Sequence, residues 1–83
     1  MKVSVRYFAS IREAVGRGGE VVDTPARDLA ALRDELVERG GAYAQSLARG
    51  KAVRVALDQV MSTESSVLSE GCEVAFFPPV TGG

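Results

Sequence analysis

The sequence predicts a two-layer α+β domain in which one sheet of four or five strands packs on one main helix. Three observations lead there. Apolar residues alternate with polar ones at Val3, Val5 and Tyr7, at Val53, Val55 and Leu57, and at Val74 and Phe76. That is the period-2 pattern of half-buried strands. Only one stretch, about Leu29 to Arg39, carries a helical stripe of any length, with Leu29, Leu32 and Leu36 at i, i+3 and i+7 and Val37 widening it. Finally, the chain has 83 residues, which allows one small domain and no second.

The elements follow in order. After the first strand, Ser10-Ile11-Arg12-Glu13 has the form of a capping box opening a short helix that gathers Ile11, Ala14 and Val15. Gly16 stops that helix, because glycine accepts the left-handed conformation just past a helix end. Residues 19–23 suit a second strand pairing back on the first. Asp28 is the expected N-cap of the main helix, and Gly40-Gly41 ends it. Arg27, Arg33, Asp34, Glu35, Glu38 and Arg39 read as its solvated side. Tyr43 to Ala48 adds a further helical turn before Gly50. Asp58-Gln59 turns the third strand into a brief one at Val60-Met61, and Thr63 to Ser66 is a polar loop. The last strand, Cys72 to Phe77, sets Val74 and Phe76 on one face and Glu73, Ala75 and Phe77 on the other. There is no internal repeat and no low-complexity tract.

The inventory excludes much chemistry. With no His and one Cys, the chain contains no Ser-His-Asp or Cys-His arrangement and too few ligands for a structural zinc site. The Gly16-Arg17-Gly18-Gly19 stretch lacks the spacing of a phosphate-binding loop and reads as a turn. The carboxylates show no recognisable pairing. Ten basic residues against eleven acidic ones argue against nucleic acid as a partner. No apolar run approaches a membrane span or a signal peptide, so a membrane is not expected either. A lone Cys72 implies no disulfide, and the expected location is the cytoplasm. Cys72 has no adjacent cation and reads as structural. Lys51 is a weaker candidate for a contact or an isopeptide site.

The most informative segment is Phe76-Phe77-Pro78-Pro79-Val80-Thr81-Gly82-Gly83. Two prolines cannot donate ladder hydrogen bonds, so the strand is expected to end at Phe77 and a stiff tail to follow. The chain therefore divides into a domain over residues 1–77 and an extended tail over residues 78–83. From Val80 to Gly83 the reach is roughly 13 Å at ~3.3 Å per residue, and the two glycines make a tip without side-chain bulk. Read as a terminus, Gly83 offers an unhindered α-carboxylate. An activating partner can adenylate such a group, and a sulfur donor can convert the acyl-adenylate to a thiocarboxylate. Pro78, Pro79, Val80, Thr81 and Gly82 would be the inserting arm. Strand parity leaves Phe8 and Phe77 on the face opposite Tyr7 and Phe76, each at the C-terminal end of its strand. Paired exposed aromatics mark a partner surface, with Arg12 on its charged rim. The alternative is that Phe8 tucks under the short helix beside Ile11.

The ending Gly71-x-Glu73-Val74-Ala75-Phe76-Phe77-Pro78-Pro79-Val80-Thr81-Gly82-Gly83 resembles that of the small, sulfur-carrying subunits of molybdopterin synthase, a ubiquitin-like family of molybdenum cofactor biosynthesis. Weaker agreement runs through Val5 to Phe8, Arg12-Glu13, Ala31-Leu32-Arg33, Gly50-Lys51 and Leu68. Cys72 departs from the family's usual Asp, and Asp58 from its common Asn. The resemblance implies the β-grasp arrangement of the sheet around its helix, in which the strands ending at Phe8 and Phe77 are neighbours at the root of the tail. It also implies a carrier with no catalytic side chains and no bound cofactor, ATP and Mg²⁺ being used by an adenylyltransferase of the ubiquitin-activating class. A sulfur donor enzyme would load Gly83, and the tail would enter the large synthase subunit of a heterotetramer to attack cyclic pyranopterin monophosphate. Other readings are a sulfur carrier of another pathway (thiamine, tRNA thiolation) and a ubiquitin-fold interaction module whose tail does no chemistry.

Overall fold

The computed structural model describes residues 1–79; Val80, Thr81, Gly82 and Gly83 lie outside the described residues. The elements are β1 (Lys2–Tyr7), α1 (Ala9–Val15), β2 (Gly19–Asp23), α2 (Leu29–Glu38), α3 (Gly41–Leu47), β3 (Arg54–Leu57), β4 (Val60–Ser62) and β5 (Glu73–Phe77). The five strands form one mixed sheet in the order β2-β1-β5-β3-β4. Strands β1 and β5 are parallel at its centre, and the other pairs are antiparallel. This is the α+β, β-grasp arrangement, with α2 as the main helix.

Each strand follows its alternation. Val3, Val5 and Tyr7 of β1, Val55 of β3, and Val74 and Phe76 of β5 are buried with Leu29, Leu32 and Leu36 of α2 in one core cluster. The two-residue turn Asp58-Gln59 joins β3 to β4 with both φ angles positive, the geometry that suits the twist of a tight hairpin. Cys72 is buried in the core, and its carbonyl accepts from the Ser4 amide at 2.9 Å.

Three local expectations are corrected. The capping box at Ser10 does not form: α1 starts at Ala9, with Phe8 as a cap that offers no side-chain bond. The chain reverses immediately after β1, and the Phe8 carbonyl itself accepts from the Ile11 and Arg12 amides at 3.1 and 3.2 Å. Of Ile11, Ala14 and Val15, expected to gather, only Ile11 is buried, while Ala14 is exposed. The turn after Gly40 is a full helix, α3, that begins at Gly41.

The third correction is Arg33, which is 3% exposed rather than solvated. It lies four residues after Leu29 and three before Leu36, on the flank of the apolar stripe that the chain after α3 crosses. Its Nε donates to the Leu47 carbonyl at 2.6 Å, and one Nη donates to Ala48 and Lys51 carbonyls at 2.7 and 3.1 Å. The other Nη meets Glu64 at 3.0 Å. Arg49 bridges Glu64 and Asp34 outside it.

A second polar node sits under β2. Glu20 accepts from the phenols of Tyr7 at 2.8 Å and Tyr43 at 2.6 Å, and it pairs with Arg39 at 3.0 Å and Arg17 at 3.5 Å. Burial alone pushes the Glu20 carboxyl up, but the bonds from Tyr43, Tyr7 and Arg39 and the Arg39 charge outweigh it and leave it below the usual carboxylate range. Burial, reinforced by the Glu20 bond, raises the Tyr7 phenol far above its ordinary value. The depressed acid binds fewer protons folded than unfolded. Its contribution is therefore fully present above the ordinary carboxylate pKa and lost as pH falls through the folded value.

Two outcomes follow. Arg33→Ala strips donors from three backbone carbonyls and leaves Glu64 with Arg49 alone, and is expected to cost about 3 kcal/mol in urea unfolding at neutral pH. Wild type is expected to lose its stability advantage over Glu20→Gln as pH falls below about 4.5, read as converging urea midpoints; a constant gap would show that the ionised carboxylate contributes nothing.

Candidate docking face and tail root

The helices cover one face of the sheet. The register defines what stands on the other. One row across the sheet runs Arg6, Ala75, Ala56 and Met61, from β1 through β5 and β3 to β4. In the next row Phe77 of β5 lies opposite Arg54 of β3, and Phe8 follows β1 with its amide bonded to the Phe76 carbonyl at 3.2 Å. Phe8 and Met61 are 41% and 57% exposed, and Phe77 is half-buried.

Phe8 and Phe77 meet edge to face, with ring centroids 6.4 Å apart at 88°. The Arg6 guanidinium lies 5.9 Å from the Phe8 centroid, within range of a cation–π attraction. Ala75 and Ala56 are too small to fill the space between the aromatic pair and Met61. The result is an open, mostly apolar hollow of about 540 Å³, which Arg6 and Glu73 also border. Local backbone places Phe8 there. Its own φ and ψ are extended, and Ala9 takes a φ of 50°, so the chain leaves β1 sharply and the ring stays on the outer face. Phe8 does not tuck beneath α1.

Arg12, the expected rim residue, projects from α1 beside the same end of the face. It borders a second hollow of about 430 Å³ together with Phe8, Arg6 and Gly18. A Cβ at Gly18 would come within 3.3 Å of the Arg12 guanidinium carbon, so glycine leaves that side chain its place. The structure thus brings Phe8, Phe77 and Arg12 to one end of the sheet. It adds Arg6, Arg54, Ala56 and Met61, which the sequence reading did not single out. Parity alone assigns each of these to a face of its own strand; only the register across four strands shows that they adjoin.

The tail root lies at the same end. Strand β5 ends at Phe77, and Pro78 and Pro79 are half-buried. Pro78 borders a groove of about 230 Å³ with Ser10 and Ile11 of α1, Gln45 and Ser46 of α3, and Lys51 and Ala52. The root is therefore seated against α1 and α3 before the arm continues. The Lys51 side of that groove belongs to the loop whose carbonyls Arg33 binds. The remaining arm residues expected to act, Val80, Thr81, Gly82 and Gly83, lie outside the described residues. Among the described residues, no group of three or more His, Cys, Asp or Glu could hold a metal ion. No described helix is long and apolar enough to cross a membrane.

The model of the ThiS family matches residues 5–83. The chain is 36% identical over 81 residues to the molybdopterin synthase sulfur carrier subunit of Haemophilus influenzae, covering 98% of this chain and 99% of that one. It is 37% identical to the subunit of the same name from Escherichia coli, with the same coverage. Among solved structures, a putative molybdopterin converting factor subunit 1 from Pyrococcus furiosus matches with a TM-score of 0.78 and 28% identity, over 96% of this chain and 99% of that one. The complex of subunits 1 and 2 of molybdopterin-converting factor from Helicobacter pylori matches with a TM-score of 0.70 and 27% identity over the whole of both chains.

The two faces of β5 should respond differently to truncation. Phe76→Ala opens the core and is expected to cost about 3–5 kcal/mol. Phe77→Ala loses mainly the edge-to-face contact and should cost about 1 kcal/mol. Chemical unfolding of the two variants checks the difference, and equal losses would place Phe77 in the core.

Proposed function

The chain belongs to the ThiS family, and from that premise we propose that it is the sulfur-carrier subunit of a molybdopterin synthase, acting in the cytoplasm. The observation that carries this reading is the meeting of three features at one end of the sheet. An uncovered aromatic pair stands beside the strand that runs out into Pro78-Pro79, and that strand continues in sequence to Gly82-Gly83. A face for binding and an arm for delivery leave the domain side by side. The curated relatives carry the sulfur-carrier name over almost their full lengths, and the two-subunit structural relative supports a large-subunit partner.

In this reading the Gly83 carboxylate attacks the α-phosphorus of ATP on an adenylyltransferase of the ubiquitin-activating class, with Mg²⁺ bound there, and pyrophosphate leaves. Sulfur supplied by a donor enzyme then displaces AMP from the acyl carbon to give a thiocarboxylate. Glycine is suited to both steps, because no Cβ crowds the acyl carbon and the backbone can follow a narrow channel. Val80 to Gly83 adds roughly 13 Å of reach, so the domain stays outside while the tip enters. Within the large subunit the thiocarboxylate sulfur attacks cyclic pyranopterin monophosphate, water cleaves the acyl carbon–sulfur bond to restore the Gly83 carboxylate, and two rounds supply the two dithiolene sulfurs. Phe8, Phe77 and Arg12 hold the carrier on that subunit during transfer. The catalytic side chains belong to the partner, and this chain contributes an acyl group and a surface.

The test is intact mass after incubation of the full chain with ATP, Mg²⁺, a matching adenylyltransferase and a sulfide source. The expected gain is the exchange of one oxygen for one sulfur, mapped to Gly83. Deleting Gly83 should abolish the gain with the unfolding midpoint unchanged. Sulfur acquired at any other residue would reject the reading.

A further inference from the structure

The face around Phe8 and Phe77 carries a charge pattern that the carrier chemistry does not require. Arg6 of β1, Arg12 of α1 and Arg54 of β3 surround the aromatic pair, and all three are exposed. Among the described residues, none of the three is in an ion pair or donates a side-chain hydrogen bond to protein. Elsewhere Arg17 and Arg39 pair with Glu20, and Arg33 and Arg49 with Glu64. Of the carboxylates of the open face, Asp23 stands at its other end opposite Lys2, while Glu73, opposite Ser4, borders the same hollow as Arg6, Phe8 and Phe77. Round the aromatics and the tail root, three arginines thus stand against the single carboxylate of Glu73. This contrasts with a whole chain of net charge −1.

That arrangement constrains what can cover it. A partner closing over Phe8 and Phe77 strips water from the guanidinium groups beside them, which is unfavourable unless acceptors replace the water. Arg6 is tied closest, since it rides against the Phe8 ring. Ala75 and Ala56 make the floor of the adjoining hollow apolar, so the complementary surface must combine an apolar projection with carboxylates round it.

We propose that Arg6 and Arg54, with Arg12, form an electrostatic collar that selects and orients the large subunit, which meets them with carboxylates encircling an apolar patch. This rests on the carrier reading and adds to it the chemistry of the partner surface. Opposite charge at the tail end steers the encounter and sets the direction of approach, so the arm arrives facing its pocket. Such collars act mainly on association rate, while desolvated aromatic anchors govern dissociation.

Stopped-flow association of the full chain with the large subunit from the same genome, at about 50 and 500 mM salt, tests this. Arg6→Gln with Arg54→Gln is expected to slow association by roughly tenfold at the lower salt and to match wild type at the higher. Arg6→Lys with Arg54→Lys should keep the rate within about twofold, since steering needs charge rather than the guanidinium fork. Phe77→Ala should instead speed dissociation at both salts. A glutamine pair that associates as fast as wild type at low salt overturns the collar and leaves the carrier reading standing. Absence of any binding by wild type overturns both, and the sulfur-loading mass measurement then tells whether carrier chemistry survives with another acceptor.

Discussion

The parallel pairing of β1 with β5 is the constraint on which the rest of the structure depends. It joins residues near the two ends of the sequence, Val5 to Val74 and Tyr7 to Phe76, and every other element is part of the crossover between them. Parallel neighbours cannot be linked by a tight turn, so that crossover must be long and must pack on the sheet. Here it supplies α2, whose leucines cover the buried side of both central strands. The same pairing lays Phe8 beside Phe77 and brings the root of the tail against α1. The docking face is therefore a product of the complete fold, and no local segment carries it alone.

A domain of this size has little core to spare, burying only about 60% of its unfolded surface. Two polar nodes supplement it at long sequence range. Glu20 ties edge strand β2 to Tyr7, to Tyr43 of α3 and to Arg39 after α2. Arg33 ties α2 to the chain between α3 and β3 and to the loop that holds Glu64. Tyr7 also stacks on Phe76, with centroids 6.5 Å apart. Phe8 and Phe77 are the next residues on each chain. Ordering of the inner pair thus fixes the backbone that displays the outer pair.

In the proposed carrier, binding and chemistry fall to two adjacent parts of the molecule. The sheet face offers aromatics, a shallow apolar floor and fixed positive charge, all on strands whose register leaves little freedom. The arm, in that proposal, would offer the uncrowded acyl carbon of a glycine. Two prolines separate them, the first seated in a groove between α1 and α3. Rigid display and slender delivery are opposed requirements, and a strand running into a proline pair meets both.

Much of this was legible from residue order. The strand alternations, the leucine stripe of α2, the Asp28 cap whose side chain accepts from the Ala31 amide, and the stop at Gly16 are local effects that nearby residues decide. So is the division of β5 into a Phe76 face and a Phe77 face. The proposed tail chemistry rests on the same kind of reading, being a matter of which residue types stand in succession. Tertiary structure decided the rest. Arg33 belongs by type to a solvated face, yet the end of α3 and the chain after it bring three carbonyls to it, and the loop after β4 brings Glu64. Ser10 has the form of a cap, but the reversal after β1 starts α1 before it. Arg6 lies far in sequence from Arg54, Ala56 and Met61, and the four form one surface only through strand register. Register is set by hydrogen bonds and core packing between segments, and those long-range contacts leave no periodic trace in the residues themselves.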